Sequence, residues 1–390
     1  MNHLLKEYAK KLRYRLSSGG LAKQAYLLYR SRLYAKRSIP EAELAEAEKS
    51  DAGKQELIRK YEKLWPDYVQ PIREELRTRL GPERYARESE DAVFCCLAYQ
   101  FLPEEYVCFR LEERTSEQRR AYMTSPYLML LYSRLNSRQD SEVFRDKADT
   151  YALLGDCYGR QVVKIASEQD YPVFERFIAD RQVIIKKPAD GALGKGVERI
   201  ELAQYAGEER ALFDALLKDG AVMLEDLLVQ SAEMASFHPS SVNTLRCISF
   251  NTPEGVCVPF CLMRTGQGGA VMDNAGAGGI IFGIDEKTGV GNTDGCDEAG
   301  NRFRVNPDSG VAFKGFQVPE FEQAMALCRK VALRAPTVRC IGWDFAHTDQ
   351  GWVVIEGNDR CQLIGAQMTR GRGLKKEFED MVRKTGVKLK

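Results

Sequence analysis

The chain has 390 residues, 57 basic and 56 acidic side chains, and a formal charge of +1. Hydrophobic residues make up 44% and charged residues 29%, a globular mixture of two or three domains' length that excludes wholesale disorder and collagen-like repetition. The longest strictly apolar run, Ala92 to Tyr99, has eight residues against the ~18 a membrane-spanning helix needs, and near-zero net charge argues against bulk nucleic-acid binding.

The charge is uneven along the chain. Residues 1–40 carry +9 and the remainder carries −8. Leu4, Leu5, Tyr8, Leu12 and Leu16 recur at helical spacing among lysines and arginines, and the segment Leu21 to Tyr34 repeats the theme. No continuous apolar stretch follows, so no secretory signal is read there. Such a basic amphipathic helix can pack its stripe on the fold, or residues 1–37 can make peripheral contact with an anionic membrane. From Pro40 to about Arg138 the pattern stays helical, with breaks at Gly81-Pro82, Leu102-Pro103 and Ser125-Pro126.

After about Glu142 the texture changes. Short β-branched runs appear at 183–188, 221–226, 245–250 and 351–358, separated by glycine-rich turns, and ten of the 32 glycines fall between Gly266 and Gly295. The division is a helical region over 1–140 and an α/β (α+β) domain over 141–390. Eleven cysteines form no CxxC pair, and the histidines are His3, His238 and His347, too sparse for a zinc cluster. The cysteines read as small buried hydrophobes in a reducing, cytoplasmic setting.

Two segments carry chemistry. The strand Val183-Ile184-Ile185-Lys186-Lys187-Pro188 runs into Asp190-Gly191-Ala192-Leu193-Gly194-Lys195-Gly196, where glycines allow backbone amides to converge on a phosphate and a lysine adds charge. It matches neither the Walker A nor the dinucleotide spacing, and a glycine-rich turn between strands is otherwise a plain hairpin. Far downstream, Gly342-Trp343-Asp344-Phe345-Ala346 and Val354-Ile355-Glu356-Gly357-Asn358 flank the turn Asp349-Gln350-Gly351. An antiparallel hairpin would set Asp344 beside Glu356, with Asn358 on the same face: hard oxygen donors suited to Mg²⁺ shared with phosphates. The plain alternative is two solvent-facing acids on an edge hairpin.

Together these motifs, with Met223-Leu224-Glu225-Asp226-Leu227-Leu228 and Phe144-Arg145-Asp146-Lys147, resemble the ATP-grasp enzymes in content and chain order. The segment His238 to Arg246, and Asp273-Asn274 leading into Gly278-Gly279-Ile280, are similar to the sugar-transfer-associated branch, related to alpha-L-glutamate ligases. The resemblance implies an ATP-grasp fold, two mixed α/β subdomains clasping ATP, behind a largely helical N-terminal region. It implies that Lys147 and Lys187 hold ATP phosphates under a loop containing Gly191, Gly194, Lys195 and Gly196. Lys187 is preferred to Lys186, which strand alternation turns to the opposite face. Glu225, Asp226, Leu227 and Leu228 would form the adenine hinge, with Gln230 and Glu233 as ribose candidates ranked above Ser231. Asp344, Glu356 and Asn358 would ligate Mg²⁺, two ions being expected. Asn243 and Arg246 would face the transferred phosphate and the acceptor, Arg246 equally fitting a structural ion pair.

The implied reaction is ATP-dependent carboxylate–amine ligation through an acyl phosphate, releasing ADP and phosphate, with a sugar- or peptide-linked acceptor and no nucleic acid. The alternatives are an ATP-grasp kinase acting on a hydroxyl and a non-catalytic nucleotide-binding scaffold. Asp344→Asn or Glu356→Gln is expected to remove turnover with the fold intact.

Overall fold

The computed structural model describes residues 39–189, 196–218, 220–269, 273 and 278–388. The basic segment 1–37, the loop residues Gly191, Gly194 and Lys195, and most of 270–277 lie outside the described residues.

Helix α1 (Asp51–Leu64) starts where Ser50 accepts a hydrogen bond from the Gly53 amide at 3.1 Å, satisfying a donor that a helix start leaves unpaired. Helix α2 (Pro66–Ala98) opens on a proline, whose missing N–H is not needed there. It is kinked at Gly81 (φ 70°) just ahead of Pro82, at the expected break. Its second half buries Val93, Phe94, Cys95 and Cys96 completely. After α3 (Ser125–Leu135) the chain enters the mixed region. Among the described residues no helix is long and apolar enough to cross a membrane.

Helix α4 (Lys147–Leu154) precedes a four-stranded sheet. Its elements are β1 (Val162–Ile165), α5 (Tyr171–Ile178), β2 (Val183–Pro188), β3 (Glu198–Glu201), α6 (Glu209–Lys218) and β4 (Val222–Asp226), with strand order β1-β4-β2-β3 and every pairing antiparallel. Ile184, Val222 and Leu224 point to one face, where they pack on Phe174 and Phe177 of α5 and Leu212, Phe213 and Leu216 of α6. The period of two leaves Ile185, Lys187, Met223 and Glu225 on the other face.

A seven-stranded sheet follows: β5 (Thr244–Thr252), β6 (Gly255–Thr265), β7 (Ile280–Ile284), β8 (Gly295–Cys296), β9 (Arg302–Phe303), β10 (Cys340–Thr348) and β11 (Gly351–Asn358), in the order β11-β10-β5-β6-β7-β8-β9. Helix α7 (Phe321–Ala332) sits between β9 and β10 in the chain and buries Ala324, Met325, Cys328 and Val331 in one core with Leu245, Cys247, Met263, Trp343 and Phe345. The other face is divided. Ile248, Phe250 and Phe260 join a core with the N-terminal helices and with α8 (Ile364–Arg370) and α9 (Lys375–Lys384), while Thr244, Arg246, Arg264 and Asp344 occupy the rest. The helical region therefore shares its core with the large sheet. Asn136, just past α3, fixes the junction: its amide donates to Cys340 O (2.9 Å) and Asp359 O (2.6 Å), and its oxygen accepts from Cys340 N (2.9 Å).

The architecture is the expected α+β arrangement, and the runs read as strands at 183–188 and 351–358 coincide with β2 and β11. All eleven cysteines are free thiols, and ten are buried.

Candidate functional site

The site begins with strand register. On β10, Asp344 lies opposite Glu356 of β11 on one side and opposite Arg246 of β5 on the other, so one face carries an acid, an acid and a base in a row. Arg246 grips Asp344 with two prongs, Nε to Oδ1 and Nη2 to Oδ2 at 2.6 Å. Arg264, on β6 opposite Thr244, adds Nη2 to Oδ2 at 3.0 Å. Its Nε donates to Thr244 Oγ1 at 2.9 Å and lies 3.5 Å from Asp273, which also accepts from the Thr244 hydroxyl.

Asp344 is fully buried. Burial alone would raise its pKa, but Arg246 and then Arg264 pull it down to about 2. Glu356 is exposed, yet loss of hydration and the charge of Asp344 push its pKa up. Asn358 Nδ2 donates to Glu356 Oε1 at 3.0 Å, which leaves its amide oxygen as a further candidate oxygen ligand. Among the described residues no group of three His, Cys, Asp or Glu side chains is placed to hold a metal, so the candidate set is two carboxylates and an amide. That set fits Mg²⁺: its atoms are hard oxygens, and a cation would relieve the repulsion that raises Glu356.

The second half of the site lies on the small sheet. Lys187 Nζ reaches Glu225 Oε2 at 2.7 Å, and Arg160 Nε reaches the same oxygen at 2.9 Å. Both cations hold the buried Glu225 ionised against its desolvation, so its pKa falls. Arg160 also donates through Nη1 to Tyr158 O (3.0 Å) and to Val354 O (2.8 Å), two residues before Glu356. One guanidinium thus ties β4 to β11. Its Nη2 is buried without a partner among the described residues, an orphaned donor that an anionic ligand would satisfy. Lys186 turns the other way and pairs with Glu198 at 3.2 Å, as strand alternation requires.

Lys147 is the first residue of α4, whose start Asp146 caps by accepting from Ala148 N (2.7 Å) and Asp149 N (3.3 Å). Lys147 Nζ donates to Pro188 O at 2.8 Å, which places it where β2 enters the glycine-rich loop. Gly196 closes that loop at φ 75°, and a Cβ there would lie 2.8 Å from the Pro188 ring. At the end of β4, expected from the sequence to be the hinge, the side chains of Glu225 and Asp226 are engaged in ion pairs, the latter with Arg181. Leu227 and Val229 instead leave 38% and 67% of their surface exposed, available to cover an apolar ring. Ser231 N donates to His347 O at 2.8 Å, anchoring the hinge to β10.

Two residues singled out from the sequence are engaged within the protein. Asn243 is fully buried, and its amide donates to Gln230 Oε1 (3.0 Å), Met234 O (2.9 Å) and His238 O (2.9 Å), while its Oδ1 has no partner among the described residues. Gln230 is equally engaged, donating to Ser241 O (2.7 Å) and His238 O (3.1 Å) and accepting from Asn243 N (2.8 Å). The two amides knot segment 238–243 to the hinge, because that loop's carbonyls have no strand partner. Glu233, on the short turn Ala232–Ala235, keeps an exposed carboxylate. Arg246 takes the ion-pair role that was its alternative. Sequence reasoning did not single out Arg160 or Arg264. Arg264 left a signal, a single arginine in the otherwise apolar run Cys261-Leu262-Met263-Arg264, whereas Arg160 left none.

No curated protein sequence matches the chain. Similar solved structures include the ATP-grasp ligase PsnB complexed with a minimal precursor, at 16% identity and TM-score 0.39, covering 67% of this chain and 69% of that one. The D-alanine-D-alanine ligase from Coxiella burnetii is similar at 9% identity and TM-score 0.40, covering 64% and 59%. VanG D-Ala:D-Ser ligase from Enterococcus faecalis is similar at 11% identity and TM-score 0.40, covering 64% and 63%. The chain thus spans 59–69% of the length of these three. The profile of the sugar-transfer associated ATP-grasp family matches residues 129–383, from within α3 through both sheets and into α9, so the chain belongs to that family.

Proposed function

We propose that the protein is an ATP-dependent carboxylate–amine ligase acting on a sugar- or peptide-linked acceptor. The observation that carries the reading is the joined charge array. Glu356, Asp344, Arg246 and Arg264 line one face of the large sheet, and Arg160 couples this face to Lys187 and Glu225 on the small one. None of these seven side chains is a hydroxyl or a thiol. Such an inventory suits phosphoryl transfer, which relies on positioning and charge neutralisation rather than covalent catalysis.

In this reading Lys147 and Lys187 bind ATP phosphates where β2 ends, and Arg160 Nη2 supplies the donor that lacks a partner. Leu227 and Val229 flank the adenine and Glu233 meets the ribose. Asp344, Glu356 and Asn358 would hold Mg²⁺, which supplies neutralisation of phosphate charge. Arg246 and Arg264 fix Asp344 and present their remaining N–H groups to the reacting carboxylate. A substrate carboxylate oxygen bonds to the γ-phosphorus as the bond to ADP breaks. The amine then bonds to the acyl carbon, phosphate departs, and the amine loses a proton.

Hydroxylamine supplied with ATP, Mg²⁺ and pooled carboxylates tests this. A ligase yields a hydroxamate and ADP. A stable phosphate ester without hydroxamate would make the protein a kinase, and binding of ATP with neither product would make it a scaffold.

A further inference from the structure

A cavity of about 400 Å³ lies away from the charged faces described above, between the segment 114–122 of the helical region and the C-terminal segment 371–379. Gly373 makes the junction: a Cβ there would stand 2.1 Å from the backbone of Ala121, so only glycine lets the two segments run this close. The contact gathers like charge. Five lining side chains are basic and two, Glu377 and Glu379, are acidic.

Two of the five cations are balanced. Arg120 is paired with Glu48 and Arg372 with Glu377. Arg114, Lys375 and Lys376 have no carboxylate partner among the described residues: Arg114 makes a long contact to Phe109 O (3.4 Å) and hydrogen-bonds the Tyr122 hydroxyl, and Lys375 lies over the Tyr127 ring at 5.1 Å. Against these three stands Glu379, which accepts from the Tyr127 hydroxyl at 2.9 Å. The recess is left with a surplus of two positive charges, a concentration of like charge that disfavours the folded state unless an anion offsets it. The start of α9 does not serve as the cradle, since Leu374 N is taken by Gln367 Oε1 (3.1 Å) and Lys375 N by Ala121 O (3.0 Å). Recognition falls to the side chains.

We infer that this cavity is a binding site for a phosphate ester, held through its phosphate by Arg114, Lys375 and Lys376. A phosphate monoester carries about −1.5 to −2 charge at neutral pH, which matches the surplus. The volume leaves room for an organic body beyond the phosphate. The site shares no residue with the proposed ATP site, so the two stand or fall separately.

The test is calorimetric titration of full-length protein, saturated with ADP, with inorganic pyrophosphate as the probe. The expected result is binding that weakens about tenfold in Lys376→Gln, the worth of one charge-assisted hydrogen bond, and further in Arg114→Gln/Lys376→Gln, with ADP affinity unchanged in both. Lys376 is exposed and makes no ion pair among the described residues, so the single variant decides the question should the double one unfold. Parallel flotation with phosphatidylcholine vesicles, with and without phosphatidic acid, separates a soluble ester from a lipid headgroup. Absence of binding in both arms, or equal binding by wild type and Lys376→Gln, overturns the assignment.

Discussion

The arginine-clamped aspartate and its exposed neighbour should respond in opposite ways to loss of charge. Asp344→Asn preserves shape but removes the counter-ion of two mostly buried arginines and turns an NH₂ group toward their donors. A carboxyl held at about 2, against an ordinary ~3.9, represents about 2–3 kcal/mol of folding stability. Stranding the arginines raises the expected loss to ~3–5 kcal/mol. The pKa is depressed on folding, so the contribution is complete above pH ~4 and disappears as pH falls from there through about 2. Glu356→Gln removes a charge that loss of hydration and Asp344 already disfavour, and should leave stability within ~0.5 kcal/mol of wild type or raise it. Both variants should lose ATP turnover. Urea unfolding at neutral pH, repeated down to the acid limb, reads the first effect; Mg²⁺-dependent ADP release reads the second. An Asp344→Asn protein as stable as wild type, or a deficit that does not shrink with acid, would refute the charge-network argument. Mg²⁺-dependent turnover surviving in Glu356→Gln would refute the metal assignment. The fold-intact expectation drawn from sequence is retained for Glu356 alone.

Lys187→Ala should weaken ATP binding by about 10- to 100-fold, the worth of a charged donor to phosphate, while Lys186→Ala on the opposite face leaves it within about twofold; equal effects would remove the facial distinction. Mg²⁺ affinity should decline as pH falls, starting above the ordinary glutamate range because the Glu356 pKa is raised, and a flat profile across mildly acidic pH would contradict this. A fragment starting at residue 129 should be insoluble, because it uncovers the face bearing Ile248, Phe250 and Phe260; a soluble, cooperatively melting fragment would show that the helices are dispensable.

Local pattern was enough for the strands and hairpins, where period-two alternation and turn residues are written within a few positions. The Asp344–Glu356 pairing follows from the turn between them, and the opposed faces of Lys186 and Lys187 follow from the pleat. What sequence could not supply was how each polar group's bonding capacity is used. Gln230 and Asn243 have the side chains a nucleotide site would use, yet a loop of unpaired carbonyls between the hinge and β5 engages both amides first. Arg160 and Arg264 acquire their roles only from the pairing of segments distant in the chain.

The divided face of the large sheet explains why the helical region and the site belong to one construction. Along β5 the same face reads Thr244, Arg246, Ile248, Phe250, passing from charged to apolar within four alternate positions. The apolar half must be covered, and the N-terminal helices with α8 and α9 cover it. The cover stops short of the charged half, whose outer member Glu356 stays exposed, so the end of the helical cover sets the edge of the candidate site. Asn136 acts at that boundary. By bonding both backbone groups of Cys340 and the carbonyl of Asp359, it fixes the start of β10 and the residue that follows Asn358. The positions of Asp344, Glu356 and Asn358 therefore depend on a clamp contributed from the end of a helix that none of the site motifs contains.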